Sequence, residues 1–435
     1  MRHHRGVAKN TPPDHELGLT QQARREVLNR VLKALESKFY KPELLGPEWQ
    51  GAVAKNRFAI ETANTLEAFE RAMTELLQTL KTSHLGFFHQ SAKRASSRAA
   101  LSATYLADHT PYGSRWIFQD VHDGGAAADA GVESGDILLR VDGKEIVPPE
   151  HPVFPMGKIS TLEIVAKHGS ERTLSVDVAR PKGKKLHFVE PTLVQSKALG
   201  NGIGYLKVAM FPGMVGVDVA NEMSDAVANL GTIDRLIVDL RGNTGGGAGA
   251  LRLMSLLTPD RRPVGYSPNK KWAARDHSQE KTRFPRFGNI PETKGASLWL
   301  LGLRYLPSLI SKSPIVLETE GLGSKPYHGG IILLVDRHTA SAAEMVAIFA
   351  KENKLATIVG EKTAGRLVSA TSVKVGHGFR LALPTGAYYT WTGTVLEGSP
   401  IEPDVVAEFS WKERRNSGDG QLQKAFDCAL SLRTS

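Results

Sequence analysis

A chain of 435 residues has room for two or three domains with buried cores. Hydrophobic residues at 41% and charged residues at 23% describe an ordinary soluble globular protein. The net charge of +10 permits acidic partners, but the basic residues are scattered without a recognition motif, so nucleic acid is not the expected partner.

The first sixteen residues, "MRHHRGVAKNTPPDHE", carry basic residues but no apolar segment. They predict a disordered start rather than a secretory signal, and hence a cytoplasmic location, or an exported one if the start is truncated. No apolar run is long enough to predict a membrane span. From Thr20 to Tyr40, "TQQARREVLNRVLKALESKFY" sets Val27, Val31, Leu32, Leu35 and Phe39 on one helical stripe. In "NTLEAFERAMTELLQTLK", Asn64 as cap and Glu67 three residues on start a second helix that buries Leu66, Phe69, Met73, Leu77 and Leu80. These define a helical region over residues 17–100, with "TSHLGFFHQ" after its last helix.

Residues 101–185 read as a β domain: a small-residue turn, the strand "DILLRVDG" with its tight Asp142–Gly143 turn, and the hairpin "TLEIVAKHGSERTLSVDVARP". From Ile203 strands and helices alternate: "IGYLKVAMF", a helix over Val217 to Leu230, "RLIVDLRGNTGGG", a helix over Ala250 to Leu257, "IILLVD", a helix from Ser341 and "LATIVGEKT". That order predicts an α/β domain with a largely parallel sheet over residues 186–435. An insertion at about 259–330, rich in proline and basic residues, holds one amphipathic helix, "LWLLGLRYLPSLI". It suits a lid and simple surface packing equally. The single cysteine, Cys428, excludes an intramolecular disulfide and a cysteine-based zinc site, and in "LQKAFDCALSL" it reads as a small core residue. No metal and no cofactor are expected.

Two stretches carry chemistry. In "TASAAE", Ser341 and Glu344 fit a capping box, which makes Ser341 a helix cap. The same position presents a hydroxyl at a helix N-terminus, where the dipole and free N–H groups stabilise an oxyanion. In "GNTGGGAG" the glycines let backbone N–H groups approach a ligand. A phosphate loop would end in Gly-Lys-Ser/Thr, which is absent here.

The run "AGVESGDILLRVDG" resembles the signature of PDZ domains, which bind peptide by strand addition. "LIVDLRGNTGGG", "TASAAE" and "IVGEKTAGR", in that order and behind it, resemble the C-terminal processing (tail-specific) proteases over about residues 20 to 410. The resemblance implies a crotonase-like α/β core and a serine endopeptidase that forms an acyl-enzyme on extended or unfolded polypeptide. It makes Ser341 the nucleophile and puts Gly245 or Gly246, with the N–H of Ala342, in the oxyanion hole. Asp239 and Arg241 then anchor the glycine turn.

The best-known branch of that family takes its base from lysine in a "G-E-x-T-x-G-K" turn, where this chain has Arg366. Arginine stays protonated and cannot accept the serine proton. Lys362 lies four residues short of the position. The departure is similar to the tricorn-like branch, with its serine, histidine and glutamate. On that resemblance "TSHLGF" supplies His84 as base with Ser83 as orienter, and "LEGSPIEPDV" supplies Glu397, although Ser399–Pro400 replace the branch's x–Gly. An exposed histidine beyond a helix end and a surface acid are the plain alternatives for His84 and Glu397. His338, three residues before Ser341, is the rival base, but a side chain on the same tight turn approaches Oγ poorly. The alternative function is a non-catalytic ligand- or peptide-binding protein on the same fold. Oligomeric state, substrate and cleavage preference do not follow from these residues.

Overall fold

A computed structural model describes residues 19–432, apart from 91–93, 180–190, 214–215, 274, 276, 292, 294–312 and 324–328. The expected disordered start and the amphipathic helix of the insertion lie outside the described residues. The chain divides into two compact units, Met1–Ser91 with Ala370–Pro384, and Ala92–Ser369 with Thr385–Ser435. No described helix is long and apolar enough to cross a membrane.

The first unit opens with α1, Gln21–Lys38, which Thr20 caps by accepting the Ala23 N–H at 3.1 Å. It buries Val27, Leu28, Val31 and Leu35, a stripe at the helical repeat, while Leu32 is only half-buried. A helix absent from the sequence reading follows: α2, Pro47–Thr62. Its buried residues are only Trp49, Ile60 and Glu61, so it has no apolar stripe to read, and Pro47 at its first turn is the remaining signal. In α3, Leu66–Gln78, the cap is Thr65 rather than the expected Asn64; its hydroxyl accepts the Ala68 N–H at 3.0 Å. Strand β1, Gly86–His89, then pairs antiparallel with the residues from Phe379 to Ala382. The rings of Phe69, Phe87 and Phe379 meet there, with centroids 4.9 to 5.7 Å apart.

Two sheets of the second unit matter for the site. The small sheet, over the smaller of the two cores, is antiparallel: β2 (Ala103–Thr110), β3 (Gly113–Val121), β4 (Ile137–Val141), β5 (Ile159–Val165) and β6 (Glu171–Asp177), in that spatial order, with the short strand Lys144–Glu145 paired to β4. Phe118, Leu138, Leu162, Ile164 and Val176 form its core. The sheet of the larger core is also six-stranded, in the order β7 (Val194–Gly200), β8 (Ile203–Val208), β9 (Arg235–Asp239), β10 (Gly330–Val335), β11 (Thr357–Gly360) and β12 (Val405–Val406). Only the β7–β8 pair is antiparallel.

Strands β9 and β10 are covered on both faces, which explains why "LIV" and "IILLV" are unbroken apolar runs. Leu236, Val238, Leu333 and Val335 face α4 (Val217–Asn229), α5 (Ala250–Leu256) and α6 (Ala342–Glu352). Ile237, Ile332 and Leu334 face Ala425 and Ala429 of α7, Gly420–Ser431, with Cys428 half-buried beside them. The C-terminal ends of β9 and β10 open into the glycine turn and the turn before Ser341. In an open parallel sheet, this edge is where ligands bind.

The two sheets are fastened together. Trp411 donates from Nε1 to Asp108 Oδ2 at 2.8 Å, and its ring packs with Ile117, Ile137 and Val165 of the small sheet. Gln119 Nε2 donates to Glu361 at 3.1 Å, and Arg415 donates to the carbonyls of Ala166 and Lys167 at 2.6 and 2.9 Å. Trp411→Ala is therefore expected to destabilise the second unit by about 3–5 kcal/mol, and thermal denaturation would check this. An unchanged midpoint would mean that this packing contributes little.

Candidate active site

The turn after β10 is organised by one buried side chain. Asp336 Oδ1 accepts the N–H groups of Gly242, His338 and Thr339 at 3.1, 3.0 and 2.9 Å. Thr339 Oγ1 in turn donates to the Leu240 carbonyl at 3.0 Å. These bonds tie the nucleophile turn to the glycine turn before Ser341 is reached.

Ser341 has φ 57° and ψ −123°, whereas an ordinary N-cap residue is extended. A non-glycine residue held there costs about 1–3 kcal/mol and persists where its surroundings over-determine it. Those surroundings are visible. The Ser341 N–H lies 3.1 Å from the Arg366 carbonyl and 3.2 Å from Glu344 Oε2. Glu344 is fully buried and also accepts from Thr363 Oγ1, Gly365 N and Arg366 N, at 2.5, 2.7 and 2.9 Å. Burial pushes its pKa up, against the pull of those four donors. The capping glutamate thus does more than cap: it ties the start of α6 to the 363–366 turn.

The glycine turn lies directly against Ser341. A Cβ on Gly245 would sit 2.7 Å from Ala340 O, Ala342 N and Ser341 Cβ, and one on Gly246 would sit 1.9 Å from Phe211 O. With φ of 92° and 140°, neither position accepts a side chain. Asn243 straps the two turns: its carbonyl accepts the Ala340 N–H at 3.0 Å, and its Oδ1 accepts the Gly245 N–H at 2.8 Å. Gly245 has therefore committed its N–H. The N–H groups of Gly246 and Ala342 have no acceptor among the described residues. Asp239 and Arg241 are paired and buried, and Arg241 also binds Asp419 at the N-terminus of α7.

Arg366 runs its main chain beside Ser341 while its side chain is exposed. The Arg366–Leu367 peptide accepts the Ser341 N–H on its carbonyl and donates its own N–H to Glu397 Oε2 at 3.1 Å. Glu397 is thus one peptide group from the serine backbone. Lys362 is exposed and paired with Glu402 at 2.6 Å. His338 Nε2 lies 3.1 Å from the Tyr105 carbonyl, to which it must donate, and burial lowers its basicity. Ser83 and His84 belong to the first unit, in the turn between α3 and β1; Ser83 Oγ lies 2.8 Å from His84 Nδ1, and His84 has φ 57°.

The second unit therefore brings together Ser341, Gly245, Gly246, Ala342 and Glu397. The sequence reading missed Asn243, Asp336 and the wider role of Glu344. The signals were "GN" before the glycines and the Asp-x-x-Thr spacing of "DRHT", which marks a side-chain-capped turn.

Residues 202–407 match peptidase family S41. A carboxy-terminal-processing protease of Bartonella bacilliformis is 26% identical over 305 residues, covering 68% of this chain and 59% of its own length. A putative tricorn protease homolog of Streptomyces coelicolor is 22% identical over 445 residues, covering 94% of this chain but 32% of its own length. The chain thus spans roughly a third to three-fifths of these two relatives. A solved photosystem II D1 C-terminal processing protease superposes with a TM-score of 0.54 at 17% identity, over 94% of this chain and 97% of that one, a likeness of fold.

Proposed function

From a core whose residues 202–407 match peptidase family S41, we propose that this chain is a serine endopeptidase acting on extended or unfolded polypeptide. The observation that carries the reading is Ser341 itself, strained at the start of α6 with Gly245 packed against it.

Ser341 Oγ attacks the scissile carbonyl carbon and its proton passes to His84 Nε2. The oxyanion is held by the N–H groups of Ala342 and Gly246, because Gly245 has given its N–H to Asn243. Collapse breaks the C–N bond, and His84 returns the proton to the leaving amine. Water then repeats the sequence on the acyl-enzyme, freeing the new carboxylate and restoring Ser341. For Nε2 to be the basic nitrogen, Nδ1–H must donate to Ser83 Oγ, and Ser83 must in turn donate to a carboxylate. Glu397 is our assignment for that carboxylate. The tricorn-type relative aligned over nearly the whole chain supports a histidine base, as does an arginine at the lysine position of the other branch. We read the small sheet with "AGVESGDILLRVDG" as PDZ-like, and as delivering substrate by strand addition.

A fluorophosphonate probe tests the reading. The wild type is expected to label on one serine, and Ser341→Ala to lose the label. Absence of labelling at any pH would favour a non-catalytic peptide binder, for which Arg366 in place of a lysine base speaks.

A further inference from the structure

Two aspartates are buried where the small sheet meets the nucleophile turn, both inside the second unit. Asp120 lies near the end of β3 and accepts from Thr104 Oγ1 at 2.7 Å. Asp336 directly follows β10, and its Oδ1 holds the turn that leads to Ser341. Its other oxygen, Oδ2, is buried and meets no N–H or O–H donor among the described residues. As a carboxylate oxygen it would be stranded, at the full cost of its desolvation. As a carboxylic acid it becomes a donor, and the neighbouring acceptor is Asp120.

Charged groups of both signs surround the pair. Arg98, on the short helix Ser97–Leu101, faces both aspartates, and Lys207, on β8, faces Asp120. Arg337 and Glu361 face Asp336 and are themselves paired at 2.8 Å. His122 is buried, held down to about 3 chiefly by burial, and is therefore neutral; His338 is also lowered by burial. Two full negative charges would set the two carboxylates against each other and leave Asp336 Oδ2 without a donor among the described residues.

Building on the peptidase reading, we propose that Asp120 and Asp336 share one proton. The resulting bridge is a positioning device that seats the small sheet on the nucleophile turn and lets go when the proton leaves. Two further contacts follow the same path: His338 to the Tyr105 carbonyl at 3.1 Å and Gln119 to Glu361 at 3.1 Å. The direction of titration agrees. Burial and the facing Asp120 push Asp336 well above the usual carboxyl range, while the bond from Asp336 and the cation Lys207 outweigh burial at Asp120 and hold it below. A group raised in the folded state stabilises fully below its unfolded value, and that contribution is lost as pH rises through the folded one. The bridge is thus a device that fails on the alkaline side.

The test uses the full chain with two readouts across pH: the thermal midpoint and the rate of fluorophosphonate labelling of Ser341. In the wild type both are expected to fall on the alkaline side. In Asp336→Asn, whose amide donates to Asp120 at every pH, the alkaline fall in labelling should shrink to less than about twofold, and the midpoint should lose the corresponding slope. An Asp336→Asn protein with the full wild-type decline in both readouts overturns the proposal. If Asp336→Asn does not fold, Asp120→Asn leaves every Asp336 contact with the turn in place and must show the same flattening; its absence is equally fatal. A wild-type midpoint with no alkaline decline overturns the bridge without any variant. Failure of the wild type to label would remove the peptidase reading alone, because the thermal curves still decide the shared proton.

Discussion

Ser341→Ala is expected to lower kcat on an unfolded protein substrate such as casein by about 10⁵- to 10⁶-fold, with a thermal midpoint close to that of the wild type. The two quantities separate the two roles a serine at a helix start can play. A capping serine contributes about 1 kcal/mol of stability and nothing to turnover. The backbone of Ser341 is not that of an ordinary cap, and its own N–H is already taken by Arg366 and Glu344. Removing the hydroxyl should therefore leave the helix start in place, because the main-chain and Glu344 contacts remain. What disappears is the nucleophile. Near wild-type turnover in Ser341→Ala would sink the peptidase assignment, and a large loss of stability with it would restore the capping role.

The parts of this fold that were legible in the sequence are those where one local rule decides. Strands β9 and β10, buried on both faces, appear as apolar runs, and α1 and α3 as stripes at the helical repeat. The glycines of 245–246 declare a close approach, and the structure supplies what they approach: Ser341 and the Phe211 carbonyl. Helix α2 was hidden because its buried residues form no stripe. The longer-range ties were hidden for a different reason. Asp120 and Asp336 are 216 positions apart in the chain, and nothing local to either marks it as half of a pair. Glu344 was read as a capping residue from its spacing to Ser341, but three of its four donors come from residues 363–366, which only the tertiary fold brings to it. Nothing local distinguishes Gly245 from Gly246 either; that Asn243 takes the Gly245 N–H is visible only in the fold.

The identity of the base has the next largest expected effect. His84→Ala should lower kcat/KM by at least ~10³-fold, as loss of the base does in other serine triads. The wild-type profile should rise with pH through an acid limb, because the imidazole must be neutral to accept the serine proton. Lysine chemistry predicts the reverse pattern, with His84→Ala tolerated and Lys362→Ala inactive. Lys362 is a poor candidate on local grounds, since its ammonium is exposed and paired with Glu402. Arg366 cannot serve, because a guanidinium gives up no proton under working conditions. Arg366→Ala is therefore expected to be mild, and Arg366→Lys to create no faster enzyme. Ser83→Ala adds a finer check. If Ser83 orients the imidazole, its loss should cost turnover by favouring the wrong tautomer, with little change in KM. An active His84→Ala protein together with an inactive Lys362→Ala protein would overturn the histidine assignment while leaving Ser341 as the nucleophile.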